Sequence, residues 1–300
     1  MGHAPAGHVT ALPDLEVLSA RQAADATQLP GVRQQEWFDT EGRLAAFGGG
    51  TTTAWWMHWP HLGTFHFSST GPVLAHPEPG ADPADLHDTF TRHVLPFVLI
   101  GREHEGLHAS AVGLDDGVTA FCAVSGTGKS SLALGLARRG AVQWADDTVV
   151  FRAEDRDVFA IALPFPPRVD RAVLEALTTD RQRNLDGTDD RGETAAESPH
   201  GVQVTPGALS RLRRVYFVSR DARLDPGKPS IRPLDGPPGF ERLLAHAHPF
   251  DLPGPDRRRR MIERLLRVAR TVPTYDLRFA PDLTSLPRLI DEVGRHLAFS

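Results

Sequence analysis

The clearest chemical signal in this 300-residue chain is a glycine-rich octet at residues 123–130. It reads Ala-Val-Ser-Gly-Thr-Gly-Lys-Ser and matches the GxxxxGKS/T pattern of phosphate-binding loops except at the first position, where Ala123 replaces glycine. The apolar run Val118–Val124 predicts a strand before the loop, and the leucine spacing up to Gly140 predicts a helix after it. A strand, a loop and a helix in this order distinguish the motif from an incidental glycine-rich turn.

The octet predicts a nucleotide site because each of its residue types suits one part of a triphosphate. Gly126 and Gly128 let backbone N–H groups turn towards an anion, and the helix that follows favours negative charge at its start. Lys129 can reach the β- and γ-phosphates, and the Ser130 hydroxyl is a hard oxygen ligand for Mg²⁺. We expect ATP and Mg²⁺ as cofactors, although the sequence does not separate ATP from GTP, with contacts from Ser125, Gly126, Thr127, Gly128, Lys129, Ser130 and Ser131.

Two adjacent aspartates, Asp146 and Asp147, follow the apolar-rich run Ala141–Ala145. In a phosphate-loop protein, the carboxylate that helps to hold Mg²⁺ lies at the end of such a strand. Two neighbouring carboxylates can divide the work, because one can help to hold the ion while the other accepts a proton from a hydroxyl. The alternative is an exposed turn or a helix cap, but the phosphate loop shortly upstream favours a functional pair.

Three further features allow both a structural and a functional interpretation. His108, in the apolar segment Leu107–Val112, is either a satisfied core residue or a group that contacts phosphate. The tryptophans at positions 55, 56 and 59 could form a ligand surface, but aromatic residues on short strands usually pack in a core. The run Arg257–Arg260 could bind an acidic peptide, but the apolar stripe that follows it predicts the solvated face of a helix.

The remaining pattern predicts two domains, with a boundary at residues 95/96. Residues 1–95 contain three short strand patterns and form a small β-rich domain, and the segment 77–85 resembles a linker. Residues 96–300 form the larger domain around the phosphate loop. A polar stretch at 185–201 predicts a mobile loop of the kind that closes over active sites. Later elements are predicted as strands at 142–144, 148–152, 158–163, 212–219 and 274–279, and as helices at 171–177, 240–246, 257–270 and 286–297.

Composition narrows the range of partners. The net charge of −5 provides no general basic field, so neither nucleic acid nor an anionic membrane is an expected partner. The chain shows no apolar run long enough to span a bilayer and no signal-peptide pattern at its first residues. Cys122 is the only cysteine, so an intramolecular disulfide is impossible and a reducing cytoplasm is the expected location.

Four segments together resemble the core of the HPr kinase/phosphorylase family: LHASAV at 107–112, AVSGTGKSS at 123–131, ARRG at 137–140 and WADDTVVF at 144–151. A weaker resemblance continues to residue 290 through RRVYFVSRD, IRPLDG and VPTYDLRF, which are similar to the C-terminal part of HPr-kinase-like proteins found beside peptide-maturation genes. The resemblance implies an α/β P-loop kinase domain of the type shared with phosphoenolpyruvate carboxykinase, with a mixed sheet, preceded by the small β-rich domain.

The resemblance also implies roles for individual residues. Asp146 corresponds to the base that acts on a serine hydroxyl and Asp147 to its acidic neighbour near the metal, while His108 corresponds to the histidine that precedes the loop. Two departures separate the chain from true HPr kinases, which have glycine in place of Ala109 and carry a later glutamate- and glycine-containing signature. HPr is therefore not the expected substrate; the expected acceptor is a serine of a peptide, such as a lasso-peptide precursor, or a small molecule with a hydroxyl.

Two rival functions stay open at this level. The same site could run in reverse as a phosphatase or phosphorylase, because a protonated Asp146 can serve as an acid. The chain could also be a non-catalytic nucleotide-binding module that has lost its acceptor site. The oligomeric state is likewise open, although hexamers in the resembled family make a homo-oligomer possible.

Overall fold

The computed structural model describes residues 10–18, 31–38, 41–154, 156–164, 171–182, 204–248 and 255–299. The loop predicted at 185–201 lies outside the described residues. By its internal contacts, the chain divides into two compact units. Of the described residues, those within 10–106 and 248–265 form the first unit, and those within 107–247 and 266–299 form the second. The division into a small β-rich domain at 1–95 and a phosphate-loop domain at 96–300 stays a prediction.

The first unit is built on a six-stranded mixed sheet with the order β1-β6-β5-β4-β3-β2. The strand β1 pairs in parallel with β6, and the other neighbours are antiparallel. Two short helices, α1 and α2, follow the sheet and are joined by a π-helical turn at Phe90–Val94. The elements are β1 (Leu15–Val17), β2 (Val32–Phe38), β3 (Leu44–Gly50), β4 (Ala54–Trp59), β5 (Gly63–Ser68), β6 (Val73–Pro77), α1 (Pro83–Thr89) and α2 (Leu95–Gly101).

Alternating burial explains why these short segments form strands. In β5, Phe65 and Phe67 are buried, while Thr64, His66 and Ser68 are only partly buried. Side chains on successive strand positions face opposite sides, so this period-2 pattern buries one face of the sheet. Trp55 and Trp56 of β4 are also buried, which confirms that these two tryptophans pack in a core.

The second unit contains a mixed sheet with the order β10-β8-β9-β13-β12-β11, and β15 pairs with both β13 and β14. The strand β7 (Glu105–Leu107) contains the boundary between the units. The other elements are β8 (Ala109–Leu114), β9 (Gly117–Cys122), α3 (Lys129–Arg138), β10 (Val142–Ala145), β11 (Val149–Ala153), β12 (Val158–Ile161), α4 (Arg171–Gln182), β13 (Leu209–Arg220), β14 (Ser230–Pro233), α5 (Pro237–Ala245), β15 (Thr274–Phe279) and α7 (Leu286–Phe299). The helix α6 (Pro255–Thr271) also contains a boundary between the units, at residues 265/266. The predicted α/β class with mixed sheets is confirmed.

Strand direction determines which residues meet at one edge of this sheet. The strands β9 and β10 are both antiparallel to β8, and β13 and β15 run parallel to β9. The C-terminal ends of β9, β10, β13 and β15 therefore share one edge with the N-terminal end of β8. We call this edge, with the loops that leave it, the carboxyl edge.

One face of the sheet is covered by helices α3 and α7. Phe121 and Tyr216 are fully buried beneath Leu132 of α3 and Ile290 of α7. Gly135 lies where the two helices approach each other most closely, because a Cβ at that position would collide with the side chain of Ile290. Burial of a large apolar side chain stabilises the fold by about 1.5–3 kcal/mol, so this layer anchors the start of α3 at the carboxyl edge.

Candidate active site

The predicted phosphate loop joins β9 to the start of α3 at the carboxyl edge. Gly126 and Gly128 have backbone φ angles of +77° and +119°, which residues with a Cβ rarely adopt. No described atom lies within 4 Å of a Cβ built on Gly126, so the conformation rather than the space requires glycine there. Gly128 is the N-cap of α3, and no described side chain caps this helix end. The first N–H groups of the helix are therefore available to an anion.

Arg220 holds the outer side of this loop. It is the last residue of β13, and its guanidinium donates hydrogen bonds to the carbonyl oxygens of Gly126 at 2.7 Å and Thr127 at 3.1 Å. In a planar trans peptide the C=O and the following N–H point in opposite directions, so the N–H of Gly128 points away from Arg220. The sequence interpretation missed Arg220, although its position directly after a strand predicted at 212–219 was an available signal.

The side chain of Asp147 lies against two predicted site residues. Its Oδ1 is 3.2 Å from Lys129 Nζ and 3.5 Å from His108 Nδ1. The Lys129 side chain is only 7% exposed, whereas the Asp147 side chain is 64% exposed. The buried ammonium group thus reaches a carboxylate that solvent and a ligand can both approach.

The backbone at Asp147 is held in an unusual conformation. Its φ angle is +61°, and the N–H of Thr148 donates to the carbonyl of Asp146 at 2.7 Å across it. An i-to-i+2 hydrogen bond around a residue of positive φ is typical of the rare and strained γ-turn. The Asp147 carbonyl in turn accepts a hydrogen bond from the N–H of Ala109 at 3.2 Å. Strain of this kind is concentrated at functional sites, and here it aims Asp147 towards Lys129.

Asp146 has different surroundings, because only 5% of the residue is exposed. The hydroxyl of Ser110 donates to its Oδ1 at 2.6 Å, and the same hydroxyl oxygen lies 3.2 Å from Ser130 Oγ. Ser110 is fully buried in β8, two residues after His108. The sequence interpretation missed Ser110, although the period of a strand places it on the same face as His108.

Two histidines next to the site are held in their neutral form. Burial lowers the pKa of His108 below its ordinary value, and the Lys129 ammonium lowers it further, while Asp147 acts in the opposite direction. Burial lowers the pKa of His246, and repulsion from His108 in its protonated form and from the Arg242 and Lys129 charges lowers it further. His246 accepts a hydrogen bond from the N–H of His108 through its carbonyl oxygen at 2.8 Å, and its ring stacks on Phe217 at 5.7 Å. Both rings are therefore neutral near pH 7.

The structure brings the predicted residues into two sets of contacts: Asp147 with His108 and Lys129, and Ser110 with Ser130 and Asp146. The two sets are adjacent because Lys129 precedes Ser130 and Asp146 precedes Asp147 in the chain. The other predicted nucleotide contacts are in the loop and in the first turn of α3: Ser125 is exposed, Thr127 is buried and Ser131 is partly buried. Lys228, a loop cation outside these contacts, pairs with Asp225 at 3.3 Å.

The donor atoms at this site suit Mg²⁺. Ser130 and the two aspartates offer hard oxygen ligands beside an anion-binding helix start, and Mg²⁺ characteristically uses one or two carboxylates together with phosphate and water. Among the described residues, no group of three or more His, Cys, Asp and Glu side chains is arranged to hold a metal ion by itself.

In the same part of the chain, no helix is long and apolar enough to cross a membrane.

Comparison with known proteins leaves the family open. No family model matches the chain. No curated protein matches it either. The chain is similar to the solved structure of the HPr(Ser) kinase/phosphatase from Coxiella burnetii, with 14% sequence identity, a TM-score of 0.31, and coverage of 65% of this chain and 99% of that one. At this TM-score the likeness carries no argument about fold or function.

Proposed function

We propose that the protein is a Mg²⁺-dependent phosphotransferase that moves the γ-phosphate of ATP to a hydroxyl group. One observation carries the proposal: Lys129, at the start of α3 behind the glycine loop, lies 3.2 Å from a carboxylate that is open to solvent. A phosphate-binding helix start beside an accessible base is what transfer to a hydroxyl needs. The hydroxyl oxygen forms a bond to the γ-phosphorus, the bond to the bridging oxygen of ADP breaks, and the hydroxyl proton goes to the carboxylate.

The loop and Lys129 position the triphosphate. The free N–H groups at the start of α3 face the phosphate oxygens, and the Lys129 ammonium stabilises the negative charge on the transferred group. Ser130 and an aspartate would hold Mg²⁺, which would neutralise charge on the β- and γ-phosphates. Catalysis then arises mainly from orientation and preorganised charge, because phosphoryl transfer asks for little covalent chemistry from the protein.

The surroundings of the two aspartates favour different roles for them. The resemblance implies Asp146 as the base and Asp147 as its neighbour at the metal. However, Asp146 is buried and is linked to Ser130 through the Ser110 hydroxyl, whereas the side chain of Asp147 is 64% exposed and approaches neutral His108. A proton acceptor must reach the acceptor hydroxyl, so we propose Asp147 for proton transfer and Asp146 for the metal side of the site.

We further propose that the acceptor is a serine of a peptide or a small molecule with a hydroxyl, and that the reaction takes place in the cytoplasm. The site is open at Asp147, and the adjacent His108 and His246 are neutral near pH 7, so the acceptor would meet uncharged imidazoles beside an exposed carboxylate. A phosphorylase reaction would use the same groups in reverse, with inorganic phosphate attacking a phosphorylated acceptor. Whether the protein acts as a homo-oligomer stays a prediction.

Transfer from γ-labelled ATP, with Mg²⁺ and a panel of serine peptides and small alcohols, tests the proposal by mass spectrometry. We expect a mass gain of one phosphate on an acceptor. Asp147→Asn should slow transfer by at least about a hundredfold, the usual scale of general-base catalysis, while nucleotide binding persists. Asp146→Asn should instead raise the Mg²⁺ requirement by about tenfold or more. Asp225→Asn, which removes an exposed carboxylate that pairs with Lys228, is the matched control and should change neither property.

Three outcomes would count against this assignment. If no acceptor gains phosphate although ATP binds, the non-catalytic nucleotide module becomes the better description. If a phosphorylated peptide loses its labelled phosphate only when inorganic phosphate is added, the phosphorylase reaction is the principal activity. If Asp147→Asn transfers phosphate at the normal rate and Asp146→Asn does not, Asp146 is the base.

A further inference from the structure

Ser110 is a fully buried hydroxyl between the two groups that lie on the metal side of the proposed site. Its Oγ is 2.6 Å from Asp146 Oδ1 and 3.2 Å from Ser130 Oγ. Asp146 and Ser130 come from different elements, since one follows β10 and the other is in the first turn of α3. Ser110 in β8 therefore links the aspartate segment to the phosphate loop.

The number of hydrogens fixes the direction of these hydrogen bonds. A serine hydroxyl has one hydrogen to donate and two lone pairs to accept with, whereas a carboxylate only accepts. Ser110 must donate its one hydrogen to Asp146, and the 2.6 Å distance is typical of an O–H donor bonded to a charged oxygen. The contact at 3.2 Å can then be a hydrogen bond only if Ser130 donates to Ser110.

This direction has a consequence for Ser130. If its hydrogen points to Ser110, the lone pairs of its oxygen point elsewhere, and they are the part of the hydroxyl that a metal ion needs. A hydroxyl that rotates freely would present its hydrogen to the metal part of the time. Partners that orient metal ligands in this way usually change metal affinity by about 10- to 100-fold when they are removed.

We infer that Ser110 is a positioning residue that orients the Ser130 hydroxyl and the Asp146 carboxylate for Mg²⁺, a role that rests on the proposed function. Ser110 itself touches neither nucleotide nor acceptor in this role. It acts through two residues, and its loss should appear as a change in Mg²⁺ dependence rather than as a loss of folding.

A hydroxyl on the neighbouring strand provides a matched control. Thr119 of β9 is also fully buried, and among the described residues its hydroxyl has no hydrogen-bond partner. Thr119→Val removes this buried hydroxyl with little change in volume. Ser110→Ala removes the proposed orienting group, and Ser110→Cys keeps a weak donor of similar shape.

The experiment measures ATP binding by calorimetry during a Mg²⁺ titration and again in excess chelator, together with the melting temperature of each metal-free variant. For Ser110→Ala we expect the Mg²⁺ concentration at half-saturation to rise about tenfold. Binding in chelator should change by less than about twofold, which corresponds to about 0.4 kcal/mol. Ser110→Cys should lie between wild type and Ser110→Ala, and Thr119→Val should match wild type.

The outcomes separate this inference from the proposed function. If wild type and Ser110→Ala bind ATP with the same dependence on Mg²⁺ concentration, the positioning role is wrong and the proposed function stands. If Ser110→Ala loses binding equally with and without Mg²⁺, or if Thr119→Val shows the same shift, the effect is structural and the inference is also wrong. If wild type itself binds no nucleotide, the proposed function fails and the inference fails with it.

Discussion

Two buried carboxylates, one in each unit, accept hydrogen bonds from different kinds of donor. Glu105 in the first unit has a side chain that is 3% exposed, and it accepts two hydrogen bonds from Arg257, each at 2.7 Å, and one from Arg264 at 3.0 Å. Asp146 in the second unit is 5% exposed and accepts a hydrogen bond from the neutral hydroxyl of Ser110. Charged guanidinium groups therefore surround the first carboxylate, while the second belongs to the residue that precedes the solvent-exposed Asp147.

This difference distinguishes the structural charge cluster around Glu105 from the candidate functional site around Asp146. Around Glu105 the arginines present planar donors to both carboxylate oxygens, so the cluster is closed and leaves little for a ligand to bind. Around Asp146 the helix start has no cap among the described side chains and Asp147 is exposed, so the group is open on one side. A buried charge by itself is therefore weak support for a functional site. The stronger support is that a ligand can reach the groups around it.

Breaking the closed cluster should have the largest effect on stability. Glu105→Ala leaves the largely buried Arg257 without its carboxylate and Arg264 with only the exposed Glu103, and removal of one partner of a buried ion pair typically costs about 3–5 kcal/mol. We expect the free energy of unfolding in urea to fall by that amount. Glu41→Ala, which removes an exposed pair with Arg43, should cost less than about 1 kcal/mol. A loss below about 1 kcal/mol in Glu105→Ala would contradict the structural interpretation of the cluster.

Breaking the open site should affect binding rather than stability. Lys129→Ala removes the ammonium that faces Asp147, and loss of a hydrogen bond to a charged group costs about 1.5–3 kcal/mol, or roughly ten- to a hundredfold in affinity for ATP. Calorimetry with Mg²⁺ and ATP measures this loss, and urea unfolding checks that the fold persists. Lys228→Ala, at an exposed lysine, is the control. Undiminished ATP affinity in Lys129→Ala would remove Lys129 from the site.

The two clusters also show what the sequence could predict. The glycine loop, the helix after it and the paired aspartates could be predicted because their residues are close in the chain and follow known spacings. The ion pair of Glu105 with Arg257 joins residues 152 apart, which no local pattern indicates. For this reason the predicted solvated face at Arg257–Arg260 was wrong for Arg257, whose side chain is only 13% exposed.

The roles of Ser110 and Arg220 were hidden for a related reason. Each depends on the order and direction of strands, which place the start of β8 and the end of β13 at the same edge as the phosphate loop. Strand periodicity predicts which face a residue takes but not which strands become neighbours. The positive φ angle of Asp147 likewise arises from hydrogen bonds with neighbouring segments and could not be predicted from Asp-Asp-Thr alone.

A smaller effect should follow from loosening the phosphate loop. Arg220→Ala removes two hydrogen bonds from a charged donor to loop carbonyls, and because the group is partly exposed we expect a loss of about 1–2 kcal/mol, or roughly tenfold in ATP affinity. Arg223→Ala removes an exposed arginine that pairs with Asp221 nearby and should leave affinity unchanged. Equal ATP affinities in the two variants would mean that Arg220 does not organise the loop.

The smallest effect concerns a titrating group in the first unit that belongs to neither cluster. Burial, followed by the charge of His76, lowers the pKa of His66 from 6.5 to about 4, and the two rings lie 4.8 Å apart. Because the folded pKa is depressed, the unfolded chain gains a proton between about pH 6.5 and pH 4 that the folded chain does not bind. The free energy of unfolding should therefore fall as the pH decreases through this window.

His66→Gln tests this contribution, since glutamine does not titrate. The side chain is partly exposed, so after allowance for solvent screening we expect the difference in unfolding free energy between pH 7 and pH 4.5 to shrink by about 1 kcal/mol relative to wild type. His87→Gln, at an exposed position of α1, is the matched control. If wild type and His66→Gln lose the same stability on acidification, the acid sensitivity arises elsewhere. Burial of His108 lowers its pKa in the same direction, so the second unit would then be the first place to look for it.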